Sequence, residues 1–195
     1  FKIYFQKFHI FINNFNWWVC LWYCCRLNII LFSTFNKFFI NNSSKELNLL
    51  YVHLLCNMNF VRYILRSLFT DSSTWLFRIE YIVTYHTYLA LNDLKNHSDN
   101  NNDISLEKNS IEEILEFGKP LFQSKFRNCM MHYDLAGYDV LSREYIKCPF
   151  YGIVETCFEG KDYHSYLAEL RNLSDMIIDY LENRFDFSKV KLQEI

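Results

Sequence analysis

Glycine and proline are scarce in this sequence: its 195 residues include four glycines and two prolines. All six lie between Gly118 and Gly160, so the first 117 residues contain neither residue type. Glycine supplies the positive φ angles of tight turns, and proline pre-sets turn geometry. The scarcity therefore excludes β-sandwiches and β-barrels, which need many turns, and also P-loops and glycine-rich nucleotide folds. Long helices are what this composition favours.

A strong charge imbalance and a paired-cysteine metal motif are also missing. The formal net charge is -2, so no global basic field draws the chain to nucleic acid, and any such role has to be local. The seven cysteines are irregularly spaced and form no C-x-x-C pair, which excludes zinc ribbons and thioredoxin-type motifs. We interpret them as buried free thiols in a reducing cytosol. The prediction is a cytoplasmic protein without a metal or another cofactor.

The first 42 residues form an aromatic-rich extension, which we predict to be helical. Its apolar run at 17–35 has the length of a transmembrane helix. Arg26 and Asn28 lie in the middle of that run, where an arginine costs at least ~2.5 kcal/mol in a membrane. We therefore favour a buried or dimer-forming helix, and we keep a membrane segment as the alternative.

Residues 43–195 are predicted to form one helical-bundle domain, in an all-α protein of about five to six helices. Ser43 begins a capping-box pattern, followed by a helix whose apolar residues recur three and four positions apart until about Thr70. Polar residues from Asp71 onward offer N-caps for a second long helix that ends near Lys95.

The second helix has apolar residues on two faces. One face carries Trp75, Ile79, Ile82, Val83, His86 and Leu89, and the other carries Phe77, Tyr81, Tyr85 and Tyr88. A helix of this kind is central in its bundle or contacts a partner. Because His86 belongs to the first stripe, we expect it to be a hydrogen-bonded core residue rather than a ligand.

The C-terminal half contains shorter helices between breaks. A polar surface loop is expected at 97–109, then a helix at 110–117 and another at 121–133, opened by the preceding proline. The last helix is predicted at 163–185, after an Asp N-cap and with one continuous apolar stripe. The pattern at 150–158 fits either a short helix or an extended piece.

One constellation could carry chemistry, the R-N-x-x-x-H pattern formed by Arg127, Asn128 and His132. Asn128 and His132 are four residues apart and share a helix face, while Arg127 lies about 140° from His132. A long arginine bends toward that face, or it faces a second copy of the chain. Histidine exchanges protons with a ribose 2′-hydroxyl or a leaving oxygen, and arginine holds a phosphate and offsets its charge. With asparagine orienting either one, the set suits metal-free phosphodiester chemistry.

The heptapeptide from Phe126 to His132 resembles the motif of the HEPN superfamily, an arginine, a polar residue and a histidine late in a helical protein. The resemblance implies a small all-α bundle that forms a homodimer. It also implies a metal-independent endoribonuclease of the toxin–antitoxin or defence type, with Arg127 and His132 catalytic and Asn128 at the polar position. RNA is the implied substrate, and an antitoxin or a nucleotidyltransferase is the implied partner.

Two other functions stay open at this point. The family contains inactive members, so the chain can be a non-catalytic helical interaction module of the same fold. It can also be a membrane-associated helical protein, anchored by residues 10–35.

Overall fold

Six helices and no strand make up the part of the chain that the computed structural model describes, which confirms the predicted all-α bundle. No helix in this part is long and apolar enough to cross a membrane. Apart from Phe39, the predicted extension 1–42 and its candidate membrane segment lie outside it. Side chains are described except at 98–100, 108 and 132, and the described residues are 39, 44–100, 108–132 and 147–186.

Helix α1 combines three consecutive segments: an α-helix at Lys45–Asn59, a π-helix at Phe60–Leu65 and a last α-turn at Arg66–Leu68. Its N-cap is Ser44, whose hydroxyl accepts a hydrogen bond from the Leu47 amide at 3.2 Å. The cap predicted at Ser43 was therefore one residue too early. The backbone of Ser44 is extended, which lets its side chain reach the third amide of the helix.

Helix α2 spans Thr74–Asn100, and its buried face is the aromatic one. Phe77, Tyr81 and Tyr85 are buried, whereas Trp75 is 61% exposed and His86 is exposed. The expectation that His86 belongs to the core is wrong, because the neighbouring helices pack on the opposite face of α2. Trp75 and His86 therefore lie at the surface, while the other residues of their stripe are half-buried: Ile79, Ile82, Val83 and Leu89.

The remaining helices are shorter, apart from the last. The capping prediction for the last helix is confirmed, since the Asp162 carboxylate accepts from the Ser165 amide at 2.7 Å. The loop expected at 97–109 is partly helical, because α2 ends and the next helix begins inside it. In chain order the elements are α3 Lys108–Gly118, a 3₁₀ turn Lys119–Leu121, α4 Ser124–His132, a 3₁₀ turn Pro149–Gly152, α5 Ile153–Cys157 and α6 Tyr163–Glu182.

Helix α6 is the centre of the bundle and packs against α1, α2 and α3. The predicted apolar stripe of α6 is buried, and Leu170, Leu173 and Ile177 have no exposed surface. Around its first turn an aromatic cluster joins α2, α4 and Phe158, the residue that follows α5. The rings of Phe126 and Tyr166 lie 5.0 Å apart, and Phe126 lies 6.3 Å from Phe77.

A buried ionic cluster ties α1, α2 and α6 together. Glu80 is 1% exposed, and its Oε1 accepts from Arg66 Nε at 2.7 Å and from Arg171 Nη2 at 3.2 Å. Its Oε2 accepts from Arg171 Nε at 3.2 Å. Arg171 also donates to Asp71 Oδ1 at 2.7 Å, and this hydrogen bond lowers the pKa of the Asp71 carboxyl.

Gly118 ends α3, but the reason for a glycine there is space rather than backbone angle. Its φ is -76°, which any residue adopts. A Cβ at this position would lie 2.7 Å from Cε2 of Tyr88 and 3.1 Å from Cδ2 of Leu173. Helices α2 and α6 therefore approach α3 more closely here than a side chain would allow.

The turn before α5 is left-handed over three residues. Phe150, Tyr151 and Gly152 have φ angles of 54°, 56° and 70°. For the two aromatic residues this conformation costs on the order of 1–3 kcal/mol each. The ring of Phe150 packs 5.7 Å from that of Phe77, and this contact helps to hold the turn in place. The segment that the sequence left undecided is thus helical, after a strained turn.

Candidate functional site

The motif helix α4 begins at Ser124, three residues later than the sequence predicted. The expected start after Pro120 is wrong, because Pro120 belongs to the 3₁₀ turn Lys119–Leu121. Between the two, Phe122 leaves helical geometry with φ -107° and ψ 49°. Its ring lies 5.1 Å from Tyr85 and 4.9 Å from Tyr88, so docking against α2 pulls the chain out of the helix. As a result, Arg127 lies in the first turn of α4.

Phe126 fixes the orientation of α4. It has no exposed surface, and its ring contacts Tyr81 of α2 at 5.2 Å and Phe158 at 5.0 Å. Consecutive helix residues are about 100° apart, so burying Phe126 turns Arg127 toward the edge of the helix. Arg127 is accordingly half-buried, and its guanidinium lies near the surface.

Arg127 is held by two uncharged groups. Its Nη1 donates to the Tyr85 hydroxyl at 3.5 Å, and its Nη2 donates to Asn128 Oδ1 at 3.4 Å. The Tyr85 hydroxyl raises the pKa of Arg127 further above its ordinary value, and the guanidinium is charged at neutral pH in any case. The structure therefore brings two of the three predicted site residues together.

Arg127 differs in this respect from the arginines of the ionic cluster. Arg66 and Arg171 are paired with Glu80, and Arg62 lies 3.7 Å from an Asp175 carboxylate oxygen. Within the described residues, no carboxylate pairs with Arg127. The groups that hold Arg127 in this part of the chain are uncharged, and arginine is a residue type that binds phosphate oxygens bidentately.

His132 is the last residue of α4, and its side chain lies outside the described atoms. The helix is continuous from Ser124 to His132, so positions 128 and 132 are one turn apart on the same face. That part of the predicted backbone geometry holds. Asn128 itself is half-buried beside the Arg127 guanidinium.

Tyr85 is the site residue that the sequence did not indicate. It is 42 positions before Arg127, and its place on an aromatic helix face predicts only core packing. The core expectation is correct, since Tyr85 is 8% exposed. Contact between its hydroxyl and the guanidinium follows from the packing of α4 against α2, for which the sequence carries no local signal.

The cysteine prediction is right for one residue and wrong for another. Cys129 of α4 is buried, as expected, whereas Cys56 is exposed, and neither forms a disulfide. Burial, together with the neighbouring Cys129, raises the pKa of the Cys157 thiol to about 12. Cys157 is therefore protonated at neutral pH and a poor nucleophile. Among the described residues, no group of three or more His, Cys, Asp or Glu side chains could hold a metal ion.

Comparisons with known proteins identify no relative of this chain. No known protein family, no curated protein and no solved structure matches this chain.

Proposed function

We propose that the chain is a metal-independent endoribonuclease whose site is Arg127, Asn128 and His132, as the HEPN resemblance implies. The observation that carries the proposal is the Arg127 guanidinium. It lies near the surface, is anchored by two uncharged groups and has no carboxylate partner in the described residues. An arginine in this state is suited to bind a phosphodiester.

The chemistry needs only groups that the motif supplies. His132 takes the proton of a ribose 2′-hydroxyl, and the 2′-oxygen attacks the adjacent phosphorus. The bond from phosphorus to the 5′-oxygen breaks, the His132 imidazolium gives its proton to that leaving oxygen, and a 2′,3′-cyclic phosphate is formed. Arg127 holds the non-bridging oxygens and offsets the charge that develops on them. Asn128 keeps the guanidinium in place.

The test is cleavage of a fluorescently labelled single-stranded RNA in buffer that contains EDTA. Wild-type protein is expected to cut it, and His132→Ala and Arg127→Ala are each expected to abolish cleavage. Matched controls are His164→Ala, an exposed histidine on α6, and Arg62→Ala, an arginine remote from the motif in sequence. Wild-type protein that binds this RNA but never cuts it contradicts the proposal.

In the proposed context the protein acts as a homodimer, with the Arg127 and His132 pairs of two copies meeting at the interface. Its cytoplasmic partner is an antitoxin or a modifying nucleotidyltransferase. Sedimentation of the purified chain tests the dimer directly, and co-expression with the products of neighbouring genes tests the partner.

A second candidate function, a helical interaction module, is favoured by apolar side chains at the turn between α1 and α2. Leu68 is 69% exposed, Phe69 45% and Trp75 61%, and clustered exposed apolar residues mark interaction sites. The two functions differ in their response to mutation. His132→Ala removes the cellular effect of a ribonuclease, whereas Trp75→Ser removes that of an interaction module.

A further inference from the structure

We infer that Tyr85 is a positioning residue for the phosphate-binding arginine, an inference that rests on the ribonuclease function proposed above. Its hydroxyl anchors Arg127 from a different helix, 42 residues earlier in the chain. The site therefore includes α2 as well as the motif helix.

The geometry gives Arg127 a two-point support. Tyr85 accepts from Nη1 at 3.5 Å and Asn128 accepts from Nη2 at 3.4 Å. Each contact uses one terminal nitrogen of the planar guanidinium, so together they restrict rotation of its plane. Five N–H donors belong to a guanidinium, and those not used by Tyr85 and Asn128 are left for phosphate oxygens.

Tyr85 can position another group because its own ring is fixed. The ring stacks on Tyr81 at 6.0 Å with an interplanar angle of 10°, and Phe122 packs against it at 5.1 Å. Two χ angles describe a tyrosine side chain, and both are constrained here because Tyr85 is 8% exposed and its ring is packed. A long arginine side chain near the surface has no such constraint of its own.

Loss of this support should affect the transition state more than substrate binding. Tyr85→Phe keeps the ring and leaves the charge of Arg127 intact, so attraction of the RNA phosphate persists. A displaced guanidinium, however, is poorly aligned with the charge that develops during attack, and displacements near 1 Å cost on the order of 100-fold in rate. We expect kcat to fall about 10- to 100-fold, with KM changed less than about threefold.

Tyr88→Phe is the matched control. Tyr88 lies one helical turn from Tyr85, packs on the same Phe122 ring, and donates its hydroxyl to the Leu115 carbonyl at 3.2 Å. Among the contacts of the described residues, none joins Tyr88 to Arg127, and removing the Tyr88 hydroxyl likewise costs one hydrogen bond. Unchanged kcat in Tyr88→Phe, with reduced kcat in Tyr85→Phe, supports the inference.

A second measurement does not depend on RNA. Relaxation of the Arg127 Nε–H group by ¹⁵N NMR should show an ordered side chain in wild type and Tyr88→Phe, and a mobile one in Tyr85→Phe. Equal order in all three proteins overturns the inference, as does a kcat for Tyr85→Phe equal to that of wild type. If wild type fails to cleave RNA while Tyr85 still orders Arg127, the ribonuclease proposal fails and the positioning role stands.

Discussion

Replacing Glu80 by glutamine tests how strongly the buried ionic cluster holds α1, α2 and α6 together. Glu80 is 1% exposed and accepts three hydrogen bonds from Arg66 and Arg171. Glutamine has nearly the same shape, but it removes the negative charge and turns an NH₂ donor toward guanidinium donors. Two arginines are then left without their shared counter-charge.

The size of the effect follows from burial. Removing one partner of a buried ion pair costs about 3–5 kcal/mol. The side chains of Arg66 and Arg171 are 19% and 23% exposed, so water solvates both of them in part. Arg171 also keeps its hydrogen bond to Asp71. We therefore expect the lower end, about 3 kcal/mol, which for a chain of this size corresponds to a Tm decrease of roughly 6–12 °C.

The assay is urea unfolding followed by circular dichroism, with Asp71→Asn as the control. Asp71 is bound to the same arginine, but its side chain is 64% exposed, and exposed pairs contribute about 0–1 kcal/mol. The expected order is therefore a large loss for Glu80→Gln and a small one for Asp71→Asn. A Glu80→Gln variant that loses less than about 1 kcal/mol, or no more than Asp71→Asn, would refute the reasoning.

Two further predictions concern packing and pH. Gly118→Ala should lower the free energy of unfolding by about 1–3 kcal/mol, because its Cβ would lie 2.7 Å from the Tyr88 ring; an unchanged urea midpoint contradicts this. Burial lowers the pKa of His53 from 6.5, so the unfolded chain takes up this proton at higher pH than the folded protein. The contribution of His53 to stability is thus fully present above pH 6.5 and declines as pH falls below it. His53→Gln should show a weaker decline in urea titrations at a series of pH values, and an identical pH slope would rule this out.

The features that could be predicted from the sequence are those that depend on neighbouring residues along the chain. Asp162 caps α6, and the apolar stripe of α6 is buried as its spacing indicated. Both follow from local chemistry, because a cap needs one side chain and one turn, and a stripe needs only a period of 3.6. The all-α class follows equally directly from the scarcity of glycine and proline.

Features that depend on contacts between distant residues could not be predicted. Helix α2 has two apolar faces, and the choice of the Tyr81 face over the Trp75 face is made by the helices that pack against it. Helix α4 begins at Ser124 rather than at the predicted position 121, because Phe122 packs against tyrosines of α2. For the same reason, the sequence named Arg127 and Asn128 but gave no indication of Tyr85.

The π-helical stretch Phe60–Leu65 gives α1 a surplus of one residue relative to a regular α-helix. Deleting Tyr63, which is 58% exposed, would let the stretch close into an α-helix while the direction of Arg66 is kept. The same deletion within Lys45–Asn59 would rotate the following residues by about 100° and turn Arg66 away from Glu80. Helix α1 therefore contains a place where chain length can change during evolution without loss of the ionic cluster, and a homologue one residue shorter there should have an uninterrupted α-helix.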